Sequence, residues 1–371
     1  MKRYDVAVIG SGVFGAWTAW HLARAGKSVL LVDAWGPGHS RSSSGGESRI
    51  IRLGYGADEI YTRMSMRSLD QWVELFRRTG KPLFHRTGVL RLSHDDDAYS
   101  VASRETLARV GAPHEIVSPA ELVRRWPQIR LPVPGTYGLF EPESGALMAR
   151  RAVATAVDDA IAHGVDFDVR TVEWPNPEID ATAFVFACGP WLPKLFPALL
   201  ARLIYPTRQE VFFFATPTGD DSFAPPHFPV WTDFTEPRRP YGFPDLEGRG
   251  VKLAFDRYGE AFDPDAGSRE ISPEGVEEAR IFLGERFPAL RNTTLTESRV
   301  CQYSNTSNGD FLIDRHPGHS NIWLVGGGSG HGFKHGPAVG EYAASQILAT
   351  ASPELRFSLA SKAETQARTV L

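Results

Sequence analysis

The chain has 371 residues, of which 42% are hydrophobic and 23% charged, with a formal net charge of −4. This composition is typical of a globular protein with two domains and gives no basis for binding nucleic acid or an anionic membrane. Two cysteines exclude a disulfide framework and a cysteine-rich metal site, and because no signal peptide or membrane-length apolar run is visible, we expect a cytoplasmic protein without a metal.

The first 33 residues predict a strand, a glycine-rich turn, a helix and a second strand. In such a unit, Gly10 permits the tight turn, Gly12 lets the backbone approach a pyrophosphate, and Gly15 allows close packing of helix on strand. Asp33 ends the second strand and is placed to accept hydrogen bonds from ribose hydroxyls. The pattern predicts a dinucleotide site at the start of the helix. The first strand covers residues 4–9, Val13 and Phe14 complete the turn, Gly26 ends the helix, and the second strand covers residues 28–32.

Downstream, apolar periodicity predicts helices that alternate with short strands, and from residue 206 closely spaced strands follow. This shift to closely spaced strands after residue 206 favours a second domain with a mixed or antiparallel sheet. Predicted helices cover residues 59–79, 98–110, 119–126, 149–163, 273–287 and 338–350. Predicted strands cover residues 165–169, 184–191, 209–215, 230–234, 241–243, 251–255 and 322–326, and residues 82–93 are predicted to form a β-hairpin.

Two arginines stand in an apolar context after a Gly- and Ser-rich loop at residues 36–48. Arg49 and Arg52 alternate with apolar residues, and a buried guanidinium is costly unless it meets an anion. The alternative is that both arginines lie on a solvated face. We favour anion binding and assign Ser43 of the loop to the cofactor site.

Two later segments are also expected to reach the cofactor. A buried strand ends in a turn of small residues near residue 188, and the last helix has a glycine-rich entry near residue 330. The carboxyl ends of strands are where a Rossmann-like sheet contacts its cofactor. The candidate contacts are Cys188, Gly189, Trp191, Gly328, Gly330 and Gly332.

The predicted fold is therefore α/β: a discontinuous, doubly wound Rossmann-like FAD-binding domain joined to a substrate domain with a mixed or antiparallel sheet. The fingerprint alone does not separate FAD from NAD, but its position at the start of a long chain favours FAD. The predicted FAD domain comprises residues 1–82, 143–205 and 307–371, and the predicted substrate domain comprises residues 83–142 and 206–306.

Three motifs resemble those of one family. They are Arg-Ile-Ile-Arg at residues 49–52, Cys-Gln-Tyr at 301–303, and Ser-Gly-His-Gly-Phe-Lys at 329–334. In combination they are similar to the monomeric sarcosine oxidase and N-methyltryptophan oxidase branch of the FAD-dependent amine oxidases, and the resemblance covers essentially the whole chain.

This resemblance implies a role for each matching residue. Cys301 would hold FAD through a thioether at its 8α carbon, and Lys252 would activate oxygen near flavin N5. Arg52 and Lys334 would hold the substrate carboxylate. The other implied roles are Arg49 stacked near the flavin ring, His331 at its pyrimidine side, Tyr241 and Tyr303 lining the substrate pocket, and Lys334 as a further cofactor contact.

Residue type alone leaves other interpretations open. Cys301 could be a small buried hydrophobe, Lys252 an exposed lysine on a strand, and His331 a loop or helix-capping histidine. The chain also departs from the family: Asp256 replaces a histidine of sarcosine oxidase and could receive a cationic group of the substrate. Such departures leave amine oxidation in place and call sarcosine itself into question.

We predict an oxidase of a secondary amino acid, N-methyl or cyclic, that is held by its carboxylate. The products would be an imine, hydrolysed to an aldehyde and an amine, and hydrogen peroxide. The expected partners are an amino-acid or amine substrate and O2, and we expect a monomer. The alternatives are a flavin dehydrogenase with another acceptor, a biosynthetic flavoprotein that oxidises a larger or non-carboxylate amine, and a plain NAD dehydrogenase.

Overall fold

The computed structural model describes residues 2–94, 97–131, 133–174 and 178–365. The two ends of the predicted FAD domain, residue 1 and residues 366–371, lie outside the described residues. The strands are β1 (Tyr4–Ile9), β2 (Val29–Asp33), β3 (Arg49–Ile51), β4 (Phe84–His85), β5 (Val89–Ser93), β6 (Glu115–Val117), β7 (Tyr137–Glu141), β8 (Gly145–Leu147), β9 (Asp166–Val169), β10 (Ala181–Phe186), β11 (Ile204–Phe214), β12 (Val230–Asp233), β13 (Pro240–Phe243), β14 (Val251–Phe255), β15 (Leu295–Thr306), β16 (Leu312–Arg315) and β17 (Ile322–Gly326). The α-helices are α1 (Val13–Arg24), α2 (Glu59–Thr79), α3 (Ala98–Val110), α4 (Pro119–Arg125), α5 (Ala149–Ala162), α6 (Leu192–Leu195), α7 (Pro197–Leu200), α8 (Pro273–Arg286) and α9 (Gly336–Ile347).

A six-stranded sheet in the order β16-β17-β10-β1-β2-β9 forms the Rossmann-like part of the fold. Its strands are parallel except for β16, which pairs antiparallel with β17. Val6 and Val8 pack on the side of α1, whereas Ala7 and Ile9 pack into a separate cluster on the opposite face. Burial on both faces explains why these strands are continuously apolar.

An eight-stranded sheet in the order β15-β11-β14-β13-β12-β5-β7-β6 forms the second layer. All its pairings are antiparallel except that of β5 with β12, which is parallel. The predicted mixed sheet is therefore confirmed. Helix α8 covers one face, where the ring of Phe282 stacks 5.9 Å from that of Trp231.

A three-stranded sheet, β3-β8-β4, connects the two larger sheets and corrects one prediction. Residues 82–93 do not form a hairpin, because β4 pairs with β8 whereas β5 pairs with β12 and β7. Between them the chain turns away at Gly88, whose N–H donates to the carbonyl of Ser144. Alternation of apolar residues predicts a strand but does not specify its partner.

The sequence analysis missed several strands that are short or rich in polar residues, namely β3, β6, β7, β8, β15 and β16. The domain boundaries stay a prediction. Every strand of the six-stranded sheet lies within the segments assigned to the FAD domain. Among the described residues, no helix has the length and apolar character needed to cross a membrane.

Candidate active site

Two cavities meet between the six-stranded and eight-stranded sheets. The larger, about 610 Å³, starts at the carboxyl ends of the parallel strands, at Ile9 and Asp33, and reaches Cys301 on β15. The smaller, about 80 Å³, lies between Arg52 and Asp256. We call them the cofactor cavity and the substrate cavity. They share lining residues, which places them side by side: Arg49, Tyr303, Gly330 and Phe333.

Three glycines shape the entry to α1 for different reasons. Gly10 has a φ of +104°, which only glycine adopts easily. A Cβ on Gly15 would lie 1.8 Å from the carbonyl oxygen of Gly10, so the helix and β1 can approach only without a side chain there. A Cβ on Gly12 would have the Ser44 hydroxyl at 3.7 Å as its one close neighbour and would project into the cofactor cavity.

Asp33 ties the ends of β1 and β2 together at the cavity wall. Its carboxylate accepts hydrogen bonds from the backbone N–H groups of Ser11 at 2.7 Å, Trp35 at 2.9 Å and Gly36 at 3.0 Å. An ionised carboxylate has about four acceptor positions, so one is left for a ligand. Helix α1 begins beside it, with Val13 donating its N–H to the Ser44 hydroxyl at 3.2 Å.

Both cysteines line the cofactor cavity, but their surroundings differ. Cys301 is buried, and the Arg49 guanidinium lies 3.5 Å from its sulfur. Arg49 is fixed by donating to the carbonyl of Ser43 at 2.7 Å. The Cys188 thiol instead donates to the carbonyl of Ile9 at 3.3 Å, and burial, followed by the charge of Asp33, raises its pKa well above the ordinary value.

Aromatic side chains and glycines complete the walls of this cavity. Trp191 donates from its ring to Asp265 at 2.7 Å and packs against Trp35, with 5.0 Å between the ring centres. At the other end, a Cβ on Gly332 would meet the Phe14 ring at 2.8 Å. The predicted cofactor residues Gly10, Gly12, Val13, Phe14, Asp33, Ser43, Arg49, Cys188, Gly189, Trp191, Cys301, Gly328, Gly330 and Gly332 all line this cavity, whereas Gly15 and Lys334 do not.

Two buried cations line the substrate cavity, Arg52 and Lys334. The Arg52 guanidinium lies 4.4 Å from the centre of the Tyr55 ring and donates to the carbonyl of Gly54. The Lys334 ammonium donates to the Tyr55 hydroxyl at 2.7 Å. Burial, followed by the charge of Arg52, holds the pKa of Lys334 well below its usual value. A pair of like charges in a desolvated wall favours the binding of an anion.

The Tyr55 hydroxyl fixes the proton positions of its neighbours. His331 Nε2 lies 3.1 Å from the Gly309 carbonyl, which can only accept, so a neutral His331 accepts at Nδ1 from the Tyr55 hydroxyl at 3.3 Å. The Tyr55 oxygen then accepts from Lys334 and from Nε2 of His335 at 2.9 Å. Burial, followed by the charge of Lys334, lowers the pKa of His335 well below its ordinary value, in keeping with a neutral ring.

A second polar network holds the backbone beyond Arg52. Glu141 accepts from the N–H groups of Leu53 at 2.6 Å and Gly54 at 3.0 Å. The Gly54 carbonyl also accepts from Arg91 at 3.0 Å. Arg52 is thereby placed by the eight-stranded sheet, which supplies both Glu141 and Arg91.

Tyr241, Tyr303 and Asp256 also line the substrate cavity. The two tyrosine hydroxyls lie 3.5 Å apart, and burial is the main reason that the pKa of Tyr241 is raised to about 12. Asp256 follows β14 and donates its backbone N–H to the carbonyl of Arg239 at 2.9 Å. Arg239 also lines this cavity.

Lys252, on β14, lines neither of the two cavities. Its buried ammonium donates to the carbonyl of Ser48 at 2.7 Å and lies 4.3 Å from the centre of the Phe243 ring. Burial, followed by the charge of Arg49, holds the pKa of Lys252 well below its usual value.

The sequence analysis missed three residues of the substrate cavity and its surroundings: Tyr55, His335 and Arg239. Tyr55 follows Arg52 by three positions, in the same apolar segment that drew attention to the arginines, so its neighbourhood was visible in the sequence. His335 adjoins the predicted motif at residues 329–334. Arg239 had no sequence signal, because the turn that brings it to the cavity is a tertiary feature.

Comparison with known proteins gives a consistent result. The family model described as FAD dependent oxidoreductase matches residues 5–346. Monomeric sarcosine oxidase of Bacillus sp. (strain B-0618) is 34% identical over 370 residues, covering 95% of this chain and 94% of that protein. N-methyl-L-tryptophan oxidase of Salmonella heidelberg (strain SL476) is 31% identical over 367 residues, covering 93% of this chain and 95% of that protein.

Solved structures share the fold. L-proline dehydrogenase from P. horikoshii has a TM-score of 0.82 at 20% identity. The match covers 96% of this chain and 97% of that one. The amino acid oxidase NikD, essential for nikkomycin biosynthesis, has a TM-score of 0.78 at 22% identity, with 96% of each chain covered. From the family model and the sequence identities, we conclude that this chain belongs to the FAD dependent oxidoreductase family, in the group that contains the monomeric sarcosine oxidases and N-methyl-L-tryptophan oxidases.

Proposed function

We propose that this protein is an FAD-dependent oxidase of a secondary amino acid, with an N-methyl or cyclic amine. The observation that carries the proposal is the pair of buried cations, Arg52 and Lys334, in a small cavity beside the cofactor cavity. Such a pair suits a carboxylate, since a guanidinium and an ammonium can both donate charge-assisted hydrogen bonds to it.

The cofactor cavity fits FAD. Its volume of about 610 Å³ is within the range of cofactor sites. Gly12 leaves open space at the start of α1, where a helix N-terminus favours a pyrophosphate, and Asp33 keeps an acceptor position for a ribose hydroxyl. When bound, FAD would supply the redox chemistry, taking a hydride equivalent from the carbon next to the amine and passing the electrons to O2.

Cys301 is the residue to which FAD would be attached. It lines the cofactor cavity at β15, and its sulfur lies beside the Arg49 guanidinium. Cys188 is the less suitable candidate, because its thiol is engaged with a backbone carbonyl and its raised pKa disfavours the nucleophilic thiolate.

Lys252 would promote the reaction with oxygen. Its ammonium is held by backbone carbonyls, close enough to Arg49 for that charge to lower its pKa. A fixed cation stabilises the negative charge that develops on O2 during reduction. His331 and Tyr241 would shape the site, His331 through its bond to Tyr55 and Tyr241 through its contact with Tyr303.

The carboxylate assignment is tested with propionate, which has a carboxylate and no amine. We expect propionate to change the flavin absorption spectrum of the purified holoenzyme and to compete with sarcosine or L-proline. Arg52→Ala should weaken propionate binding by about 10- to 150-fold, the equivalent of one charge-assisted hydrogen bond of roughly 1.5–3 kcal/mol. Arg63→Ala, on the exposed side of α2, is the matched control.

Two results would redirect the proposal. If propionate does not bind and amines without a carboxylate are turned over faster than the corresponding amino acids, the carboxylate clamp is wrong. If amino acids bleach the flavin without oxygen but no hydrogen peroxide forms in air, the protein is a dehydrogenase. The predicted monomeric and cytoplasmic state stays a prediction.

A further inference from the structure

The substrate cavity contains one carboxylate among its described lining residues, Asp256. Asp256 is half-buried at the end of β14, and its backbone is fixed by the hydrogen bond to the carbonyl of Arg239. The cavity therefore combines a cationic side, at Arg52 and Lys334, with a single anionic group.

The groups that face Asp256 come from four parts of the chain, namely residues 49–55, 239–241, 303 and 331–334. Arg52, Lys334 and Arg239 favour its ionised form, as does the Tyr303 hydroxyl, whereas burial is the largest effect and raises its pKa above the ordinary value. When ionised, a carboxylate with a raised pKa is a better proton acceptor than an exposed one. The other titratable or charged groups near it are Arg49, Tyr55, Tyr241 and His331.

The size of the cavity limits how far apart the two charges of a ligand can be. The substrate cavity has about 80 Å³ against about 610 Å³ for the cofactor cavity, so it favours a compact ligand. A compact α-amino acid carries its ammonium and carboxylate on the same carbon and matches this span. A long side chain that ends in a cation does not.

We infer that Asp256 binds the ammonium group of a compact zwitterionic secondary amino acid and removes one proton from it before oxidation. This inference rests on the proposed function. In the step, one N–H bond of the ammonium breaks and an O–H bond forms on the Asp256 carboxylate. No electrons are exchanged, and the nitrogen gains a lone pair. Oxidation of the neighbouring carbon requires that lone pair, because it stabilises the positive charge that develops there.

The experiment measures kcat/KM against pH for Asp256→Asn holoenzyme with sarcosine and L-proline. An amide cannot take the proton, so the variant would use only the free amine, which is about 0.1% of an alkylamine of pKa about 10.4 at pH 7.4. We expect kcat/KM to fall at least about tenfold at pH 7.5 and to rise about tenfold per pH unit above it, while wild type stays nearly flat. Asp256→Glu should restore part of the flat profile. The control variant Glu260→Gln changes an exposed residue four positions after Asp256 and should match wild type.

Propionate binding separates this inference from the proposed function. If propionate binds Asp256→Asn as tightly as wild type or tighter, the variant is folded and the cationic side is intact. An unchanged pH profile in that variant would overturn the inference and leave the carboxylate clamp standing. Faster turnover of N-methyl amino acids with long cationic side chains than of sarcosine or L-proline would also overturn it. A failure of wild type to bind propionate counts against the proposed function instead.

Discussion

The hydroxyl group of Tyr55 shows how a single uncharged residue can organise buried charges. It accepts from Lys334 and His335 and donates to His331, so all its hydrogen-bonding capacity is used. Without it, the Lys334 ammonium would lose an acceptor in a site where water cannot easily replace it. Tyr55 is therefore a positioning residue for the cationic side of the substrate cavity.

At this scale we predict that Tyr55→Phe weakens propionate binding about tenfold, because loss of one buried acceptor costs about 1–3 kcal/mol. The KM for amino acids should rise more than kcat falls, since the reacting groups are untouched. Titration of the holoenzyme spectrum with propionate measures the first effect. Tyr342→Phe removes a hydroxyl that accepts from the Glu354 N–H and serves as the control. Equal propionate affinity in both variants would contradict the role.

At the scale of the element, the entry to α1 separates folding from cofactor binding. Gly15 is required for the helix to pack on β1, whereas Gly12 faces the cofactor cavity. Gly12 has a φ of −65°, which alanine adopts without strain. The two glycines of one motif therefore serve different purposes.

The matched pair of variants tests this distinction. Gly15→Ala should destabilise the protein by roughly 1–3 kcal/mol or more, because the added methyl group collides with a backbone carbonyl. Gly12→Ala should keep the free energy of unfolding of the apoprotein nearly unchanged but reduce flavin content sharply. Denaturant unfolding and flavin absorbance measure the two effects. A Gly12→Ala variant with full flavin content would show that the pyrophosphate lies elsewhere.

At the scale of the whole molecule, the cofactor cavity lies at the junction of the two large sheets. Ile9 and Asp33 reach it from the six-stranded sheet, and Cys301 and Tyr303 from the eight-stranded sheet. A ligand that contacts both layers binds only the folded arrangement and stabilises it by mass action. The cofactor should therefore contribute to the stability of the entire chain.

Cys301→Ser makes this testable, because its flavin should be removable. Acid-precipitated wild type should stay yellow, while the variant should release flavin into the supernatant. Refilling the stripped variant with FAD at about 1,000 times its Kd should stabilise it by roughly 4 kcal/mol and raise its melting temperature. Flavin in the supernatant of wild type would contradict covalent attachment. An unchanged melting temperature on refilling would mean that the cofactor does not bridge the sheets.

The sequence by itself determined the elements whose signals are local. Buried parallel strands are continuously apolar, helix faces repeat every 3.6 residues, and glycines at fixed spacing mark the turn before α1, so these features are visible in short windows. The same locality explains why Arg49, Arg52 and Lys334 were recognised as candidates. The family could be identified in the same way, because each of its motifs is a short run of consecutive residues.

Only the tertiary structure decided which of these elements meet. The pairing of β4 with β8 rather than β5, the polar strand β15, and the placement of Arg239 beside Asp256 depend on contacts between residues far apart in the chain. A strand pattern carries no information on its partner, and the charge balance of a cavity arises only when several segments converge. For that reason the sequence indicated the chemistry of the site, whereas the meeting of Asp256, Arg52 and Lys334 in one cavity emerged from the fold.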